Sequence, residues 1–217
     1  MVEATLIISS KNYSAWSLRG WLMAKFVGLD FDVEMVSIDD ADARAELLLL
    51  SSSTLVPCLL HEGLRVWDTL AIGEYLAEVK PEAQLLPADR AARARCRSIC
   101  GEMHSGFNAL RSALPMNLKR LHKGFKVWSN AQADIARITT VWRDCFETYG
   151  GPYLFGARSM ADAMYAPVVT RFRTYDVSLD PVCTAYSHTI LAMPEFIEWD
   201  EAAKHEPEDL PELESEF

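Results

Sequence analysis

The chain has 217 residues, of which 50% are hydrophobic and 24% charged, a composition that supports a sizeable core and excludes a disordered chain. Its 21 basic residues against 31 acidic ones give a net charge of −10. That balance argues against nucleic acid or an anionic membrane as partner, because both are held by clustered Lys and Arg.

In chain order, Thr5-Leu6-Ile7-Ile8 is a short apolar run that reads as a buried strand. A polar loop, Ser9 to Ser14, follows it. Leu18, Leu22, Phe26 and Leu29 then recur at helical spacing, with Gly28 near the stop. Phe31 to Met35 alternates strictly and predicts a half-buried strand. Ala41 to Leu50 is an Ala/Leu-rich helical stretch, broken by Ser51-Ser52-Ser53-Thr54. Leu55 to Leu60 and Arg65-Val66-Trp67, around a turn holding Gly63, predict a hairpin. Asp68-Thr69 precedes a helical period from Leu70 to Val79, and either residue is a natural N-cap. The order β-α-β-α-β-β-α thus fills residues 1–80. The link from Lys80-Pro81 to Leu86-Pro87 is bracketed by prolines and marks a domain boundary.

Residues 88–217 read as helical throughout. Ile99, Met103, Phe107, Leu110 and Leu114 form one apolar stripe. Ala133 to Tyr149 is a further helix, stopped by Gly150-Gly151-Pro152. Ser159-Met160-Ala161-Asp162 has the form of a capping box with Asp in place of Glu. Pro167 lies past the first turn of that helix, where a kink is expected. The tail from Glu206 to Phe217 is acidic and holds Pro207 and Pro211.

No stretch approaches the roughly 18 apolar residues of a membrane span. The start, Met1 to Leu6, has no basic n-region, so no signal peptide is expected; a cytoplasmic location is the expectation. The five cysteines (Cys58, Cys96, Cys100, Cys145 and Cys183) contain no C-x-x-C pair. Free thiols, no disulfide and no metal are the expectation.

A β-α-β-α-β-β-α module followed by helices resembles a cytosolic glutathione transferase. Three stretches carry the resemblance. Ser10 to Arg19 looks like the family's thiol-activating loop and helix start, closest to the serine-type zeta and theta classes. Val56-Pro57 before a hairpin, then Asp68-Thr69, looks like the family's glutathione-binding pair of sites. Ser159 to Asp162 after Leu154-Phe155-Gly156 is similar to the capping box of its helical domain. The sequence departs from the family where Leu55 replaces a commonly basic residue and Asp68-Thr69 replaces Glu-Ser.

The resemblance implies a thioredoxin-like α/β domain over 1–80 and an all-helical domain over 88–217. It implies glutathione as co-substrate and a small electrophile as second substrate. It also implies a homodimer and a role in detoxification. Only a thiolate is a good nucleophile. A donor to sulfur and a helix N-terminus both stabilise it. Ser10, Asn12, Tyr13 and Ser14 all carry donors. Alignment on Trp16 to Arg19 puts Asn12 at the family's serine position, while Ser14 lies nearest the helix start. Asn12 and Ser14 therefore rank together, ahead of Ser10 and then Tyr13; the alternative is that they only cap the helix. No His or carboxylate occurs in the loop, so donors and not a general base are expected to activate the thiol.

In thioredoxin-like folds the residue before a cis-proline offers its backbone to an extended peptide, which assigns Val56 and Pro57 to the cysteinyl part of glutathione. Thr69 and the helix N-terminus would take the γ-glutamyl carboxylate, and Asp68 its ammonium. Met103, His104, Phe107 and Arg111, with Met116 and Trp128 nearby, are the candidates for the electrophile pocket. Two rivals remain open. One is a glutathione-dependent isomerase or dehalogenase of the same fold. The other is a non-catalytic glutathione-binding protein.

Overall fold

The computed structural model describes residues 4–36 and 56–206. The helical stretch expected over Ala41 to Leu50, the departure at Leu55 and the acidic tail beyond Glu206 lie outside the described residues. The first domain has β1 (Ala4–Ile8), α1 (Ala15–Phe26), β2 (Phe31–Met35), β3 (Cys58–His61), β4 (Leu64–Val66) and α2 (Thr69–Val79). The sheet order is β2-β1-β3-β4, with β1 and β2 parallel and the other two pairs antiparallel. It is a thioredoxin-like domain.

Strand β1 is apolar without interruption because both its faces are covered. Leu6 and Ile8 join Leu18, Leu22, Ile72 and Leu76 in the main core. Ile7 points to the other face, with Cys58, Val36, Val56 and Leu60. The alternation in Phe31 to Met35 yields the edge strand β2, but Val33 and Met35 remain 38% and 48% exposed. Helix α1 fits against the sheet closely because residue 20 is glycine: a Cβ there would stand 2.7 Å from Pro57 Cγ.

After a 3-10 turn at Pro81–Ala83 the chain is helical: α3 (Arg90–Ser105), α4 (Asn108–Ala113), α5 (Ser129–Tyr149), α6 (Met160–Thr174), α7 (Pro181–Leu191) and α8 (Pro194–Lys204). The stripe from Ile99 to Leu114 is wholly buried, yet it spans two helices rather than one. The chain turns at Gly106, where a Cβ would meet Glu102 O at 2.8 Å, and Phe107 takes a left-handed conformation with φ 60°. The Ser-Gly pair at 105–106 is the signal that apolar spacing alone overrides.

Helix α6 is the axis of the second domain and runs continuously through Pro167. Its capping box is formed: Ser159 donates to Asp162 Oδ2 from its backbone N–H (2.8 Å) and from its hydroxyl (3.1 Å). Asp162 Oδ1 accepts from Leu154 N and from the Tyr186 hydroxyl. That one buried carboxylate ties the 150s loop and α7 to the start of α6. No helix among the described residues is long and apolar enough to cross a membrane.

Candidate functional site

Three helix ends converge beside the sheet: the N-termini of α1 and α2 and the C-terminus of α3. Helix α1 begins after Ser14, whose oxygen accepts from Ser17 N at 3.2 Å and whose hydroxyl donates to Ser17 Oγ at 2.8 Å. Ser17 Oγ in turn accepts from Ser9 N at 3.1 Å. Ser14 therefore spends both roles of its hydroxyl on the helix start. Ser10 acts as a hub for the loop: its oxygen accepts from Asn12 N and Tyr13 N at 3.1 and 3.2 Å. The Ser10 hydroxyl proton goes to Glu206 Oε2 at 2.7 Å.

Asn12 differs from both. It is fully buried. Its Oδ1 accepts from Leu118 N at 2.7 Å and Lys119 N at 3.2 Å, both in the segment between α4 and α5. Two N–H donors on one atom identify that atom as oxygen, so the amide orientation is fixed. The Nδ2 donor is buried and has no partner among the described residues.

Helix α2 starts at Thr69 with Asp68 as N-cap; Asp68 Oδ1 accepts from Leu70 N at 3.0 Å. The other carboxylate oxygen lies 3.1 Å from His104 Nε2, at the end of α3. The Thr69 hydroxyl is buried and has no partner among the described residues. The Val56–Pro57 peptide is cis. Pro57 lies buried against α1, and Val56 is half-buried beside Ile7 and Cys58.

The residues expected to receive an electrophile divide. Met103 and Phe107 are buried in the core. His104 sets its ring edge-on to Trp16 with centroids 5.1 Å apart. Arg111 lies over Trp16 at 4.7 Å and donates to the carbonyls of Met103, His104 and Gly106, closing the end of α3. Burial lowers its pKa from the ordinary arginine value, with Asp134 opposing. Met116 is buried, and Trp128 is 74% exposed at the start of α5.

Arg19 joins these residues, although nothing in its sequence context marks it as more than part of a helix start. It is fully buried, with Nε on Met164 O at 2.8 Å and its guanidinium 4.6 Å from the Trp16 ring. Burial, with Arg111 and Arg171 nearby, pushes its pKa well below the usual value. Among the described residues seven buried side-chain polar atoms lack partners, and five belong to Asn12, Arg19, Thr69 and His104. A buried orphan polar atom costs about 1–3 kcal/mol.

Two more groups enter the site from far along the chain. Glu206 brings a carboxylate to the β1–α1 loop. Leu118 and Lys119 hold Asn12. No spacing rule links these positions to the loop. The one signal for them in the sequence is the polar loop itself, whose N–H groups need acceptors.

Residues 13–79 match the glutathione S-transferase N-terminal domain family. The maleylacetoacetate isomerase of Rattus norvegicus is 30% identical over 175 residues, 78% of each chain. A probable maleylacetoacetate isomerase 2 of Drosophila melanogaster is 33% identical over 180 residues, covering 78% of this chain and 77% of its own. Among solved structures, a glutathione transferase homologue from Burkholderia with bound glutathione superposes with a TM-score of 0.71 at 24% identity, over 95% of this chain and all of that one. With the fold and the converging helix ends, these likenesses place the chain in the glutathione S-transferase family.

Proposed function

We propose that the protein binds glutathione where α1, α2 and α3 converge and activates its thiol for attack on a small electrophile. The observation that carries this reading is the pair of buried groups at Asn12 and Thr69 that have no partner among the described residues. In the site that the family implies, the first would meet the central cysteinyl thiol and the second the γ-glutamyl end of the tripeptide. The Asn12 Nδ2 donates to the sulfur. A donor to an anion stabilises it over the neutral thiol and lowers the thiol pKa. The N-terminus of α1 adds its partial positive charge.

Thr69 Oγ1 and the free N–H groups of α2 take the γ-glutamyl carboxylate. Asp68, held between the α2 N–H groups and His104, takes the ammonium. Val56 pairs its backbone with the cysteinyl peptide. Ser10, Ser14 and Tyr13 shape the loop. The electrophile meets the thiolate beside Trp16, His104 and Arg111.

A glutathione-dependent isomerase is the second reading, favoured by the maleylacetoacetate isomerases among the relatives. It uses the same thiolate and differs only in the acceptor. A cytoplasmic homodimer fits either reading. Turnover with glutathione and a generic aromatic electrophile, followed by loss of free thiol, tests the proposal. Saturable turnover is expected. Glutathione binding without turnover on that electrophile or on a cis-enone acid would favour the non-catalytic reading, and no binding would overturn the proposal.

A further inference from the structure

Glu206 accepts three hydrogen bonds from the β1–α1 loop, although it stands 194 to 196 residues away in sequence. Oε1 takes Lys11 N at 2.5 Å; Oε2 takes the Ser10 hydroxyl at 2.7 Å and Asn12 N at 3.1 Å. The Glu206 carbonyl accepts from Lys119 Nζ at 2.7 Å. Lys119 N returns to Asn12 Oδ1 at 3.2 Å. The result is a closed ring: carboxylate, loop N–H groups, Asn12 amide, Lys119, and back to the Glu206 backbone. A second strap runs from Trp199 Nε1 to Lys11 O at 2.9 Å. The loop folds its N–H groups into a concave cradle of the kind that holds an anion, and the end of α8 supplies that anion.

We propose that Glu206 is a positioning residue for thiol activation, holding the Ser10–Asn12 backbone so that Asn12 Nδ2, buried and without a partner among the described residues, is aimed at sulfur. The inference rests on the reading of Asn12 given above. A carboxylate donates nothing to a thiolate, and its charge opposes one, so the contribution of Glu206 is geometric. It also removes competitors, since the Ser10 hydroxyl and the Lys11 and Asn12 N–H groups are all engaged. The charged groups around it are the Lys119 ammonium on its carbonyl and Lys11, whose own ammonium lies 3.7 Å from Met35 Sδ. Small misplacements of a reacting pair cost catalysis heavily, so a clamp with three hydrogen bonds on the loop that carries the donor controls the rate.

The test compares the full-length parent with Glu206→Ala and Glu206→Gln. Each is read by the pH titration of thiolate absorbance of bound glutathione, by kcat and KM, and by thermal midpoint. In Glu206→Ala the bound thiol is expected to titrate about one unit higher, which is about a ten-fold lower ratio of thiolate to thiol at a given pH. Its kcat should fall in step while KM changes little. In Glu206→Gln the remaining carbonyl oxygen still accepts from Ser10 and Asn12, so most of the shift should be recovered. If Glu206→Ala does not fold, Trp199→Phe removes the neutral strap on Lys11 and should shift the titration upward by less. An unmoved titration in Glu206→Ala, or in Trp199→Phe where that variant stands in, overturns the proposal. So does a Gln variant no better than Ala. A parent that binds glutathione without lowering its thiol pKa sinks the thiol-activation reading itself, which is a separate result.

Discussion

The side-chain oxygen of Asn12 accepts the backbone N–H of Leu118 at 2.7 Å, across 106 residues of sequence. The bond joins the loop before α1 to the segment after α4, so the placement of one amide depends on both domains. It also separates the two ends of that amide. The oxygen is structural, and the nitrogen is buried with no partner among the described residues.

Asp68 has two tasks that substitution can separate. Asp68→Ala removes the α2 N-cap and should cost about 1 kcal/mol of stability. It should also weaken glutathione by about 1 kcal/mol, a modest figure because the carboxylate is 42% exposed and screened. Asp68→Asn keeps the cap and loses only the charge. Calorimetry should therefore find both variants weakened toward glutathione, while only the Ala variant melts early. Unchanged affinity in both would remove Asp68 from the site.

Gly20 sets the approach of α1 to Pro57. In Gly20→Ala the new Cβ would meet Pro57 Cγ at 2.7 Å and Cβ at 2.9 Å, and a proline ring cannot swing aside. A loss of about 1–3 kcal/mol in stability is expected, with weaker glutathione binding because Pro57 must move. Gly101→Ala is the control: it is helical and its Cβ meets nothing within 4 Å. That variant should gain up to about 1 kcal/mol. Denaturant unfolding of both reads the contrast.

The Asp162 carboxyl is pushed up to about 6 by burial, against the hydrogen bonds from Leu154, Ser159 and Tyr186. Its folded pKa thus lies above the unfolded value of about 3.9. The folded state holds the proton more tightly, so this contribution to stability is complete below about pH 4 and lost as pH rises through about 6. The stability of the parent relative to Asp162→Asn should fall over that window and then level off. Urea unfolding at several pH values measures it; a difference that rises with pH would contradict the assignment. Ser159→Ala should cost about 0.5–2 kcal/mol at any of these pH values.

Contiguous signals in the sequence carried much of this. Val56-Pro57, Asp68-Thr69 and the Ser159–Asp162 box are local arrangements, because caps and turns are made by near neighbours. The buried β1 and the helical second half followed from apolar runs and periods. The stripe through Phe107 does not mark a single helix, because five buried residues at helical spacing can be shared between two helices when a glycine turns the chain between them. The clamp on the loop was illegible for a different reason. Glu206 and Lys119 reach Ser10, Lys11 and Asn12 only through the packing of α8 and the α4–α5 segment on the first domain, and periodicity does not register such pairings. The loop looked free of carboxylates because its carboxylate comes from the other end of the chain. The ranking of Asn12 level with Ser14 likewise could not be broken without knowing which donors were already spent.

The account turns on Asn12 Nδ2 as the donor to sulfur, and Asn12→Asp isolates it. Aspartate keeps an oxygen for Leu118 and Lys119 and puts a second oxygen where the donor was. The measurement is the pH titration of thiolate absorbance of bound glutathione, in parent, Asn12→Asp and Ser14→Ala. A lost donor to an anion costs about 1.5–3 kcal/mol, or about one to two pKa units. The account predicts an upward shift of at least that size in Asn12→Asp, with Ser14→Ala close to the parent. If Asn12→Asp binds glutathione and titrates with the parent while Ser14→Ala moves, the donor is Ser14 and the central claim is wrong.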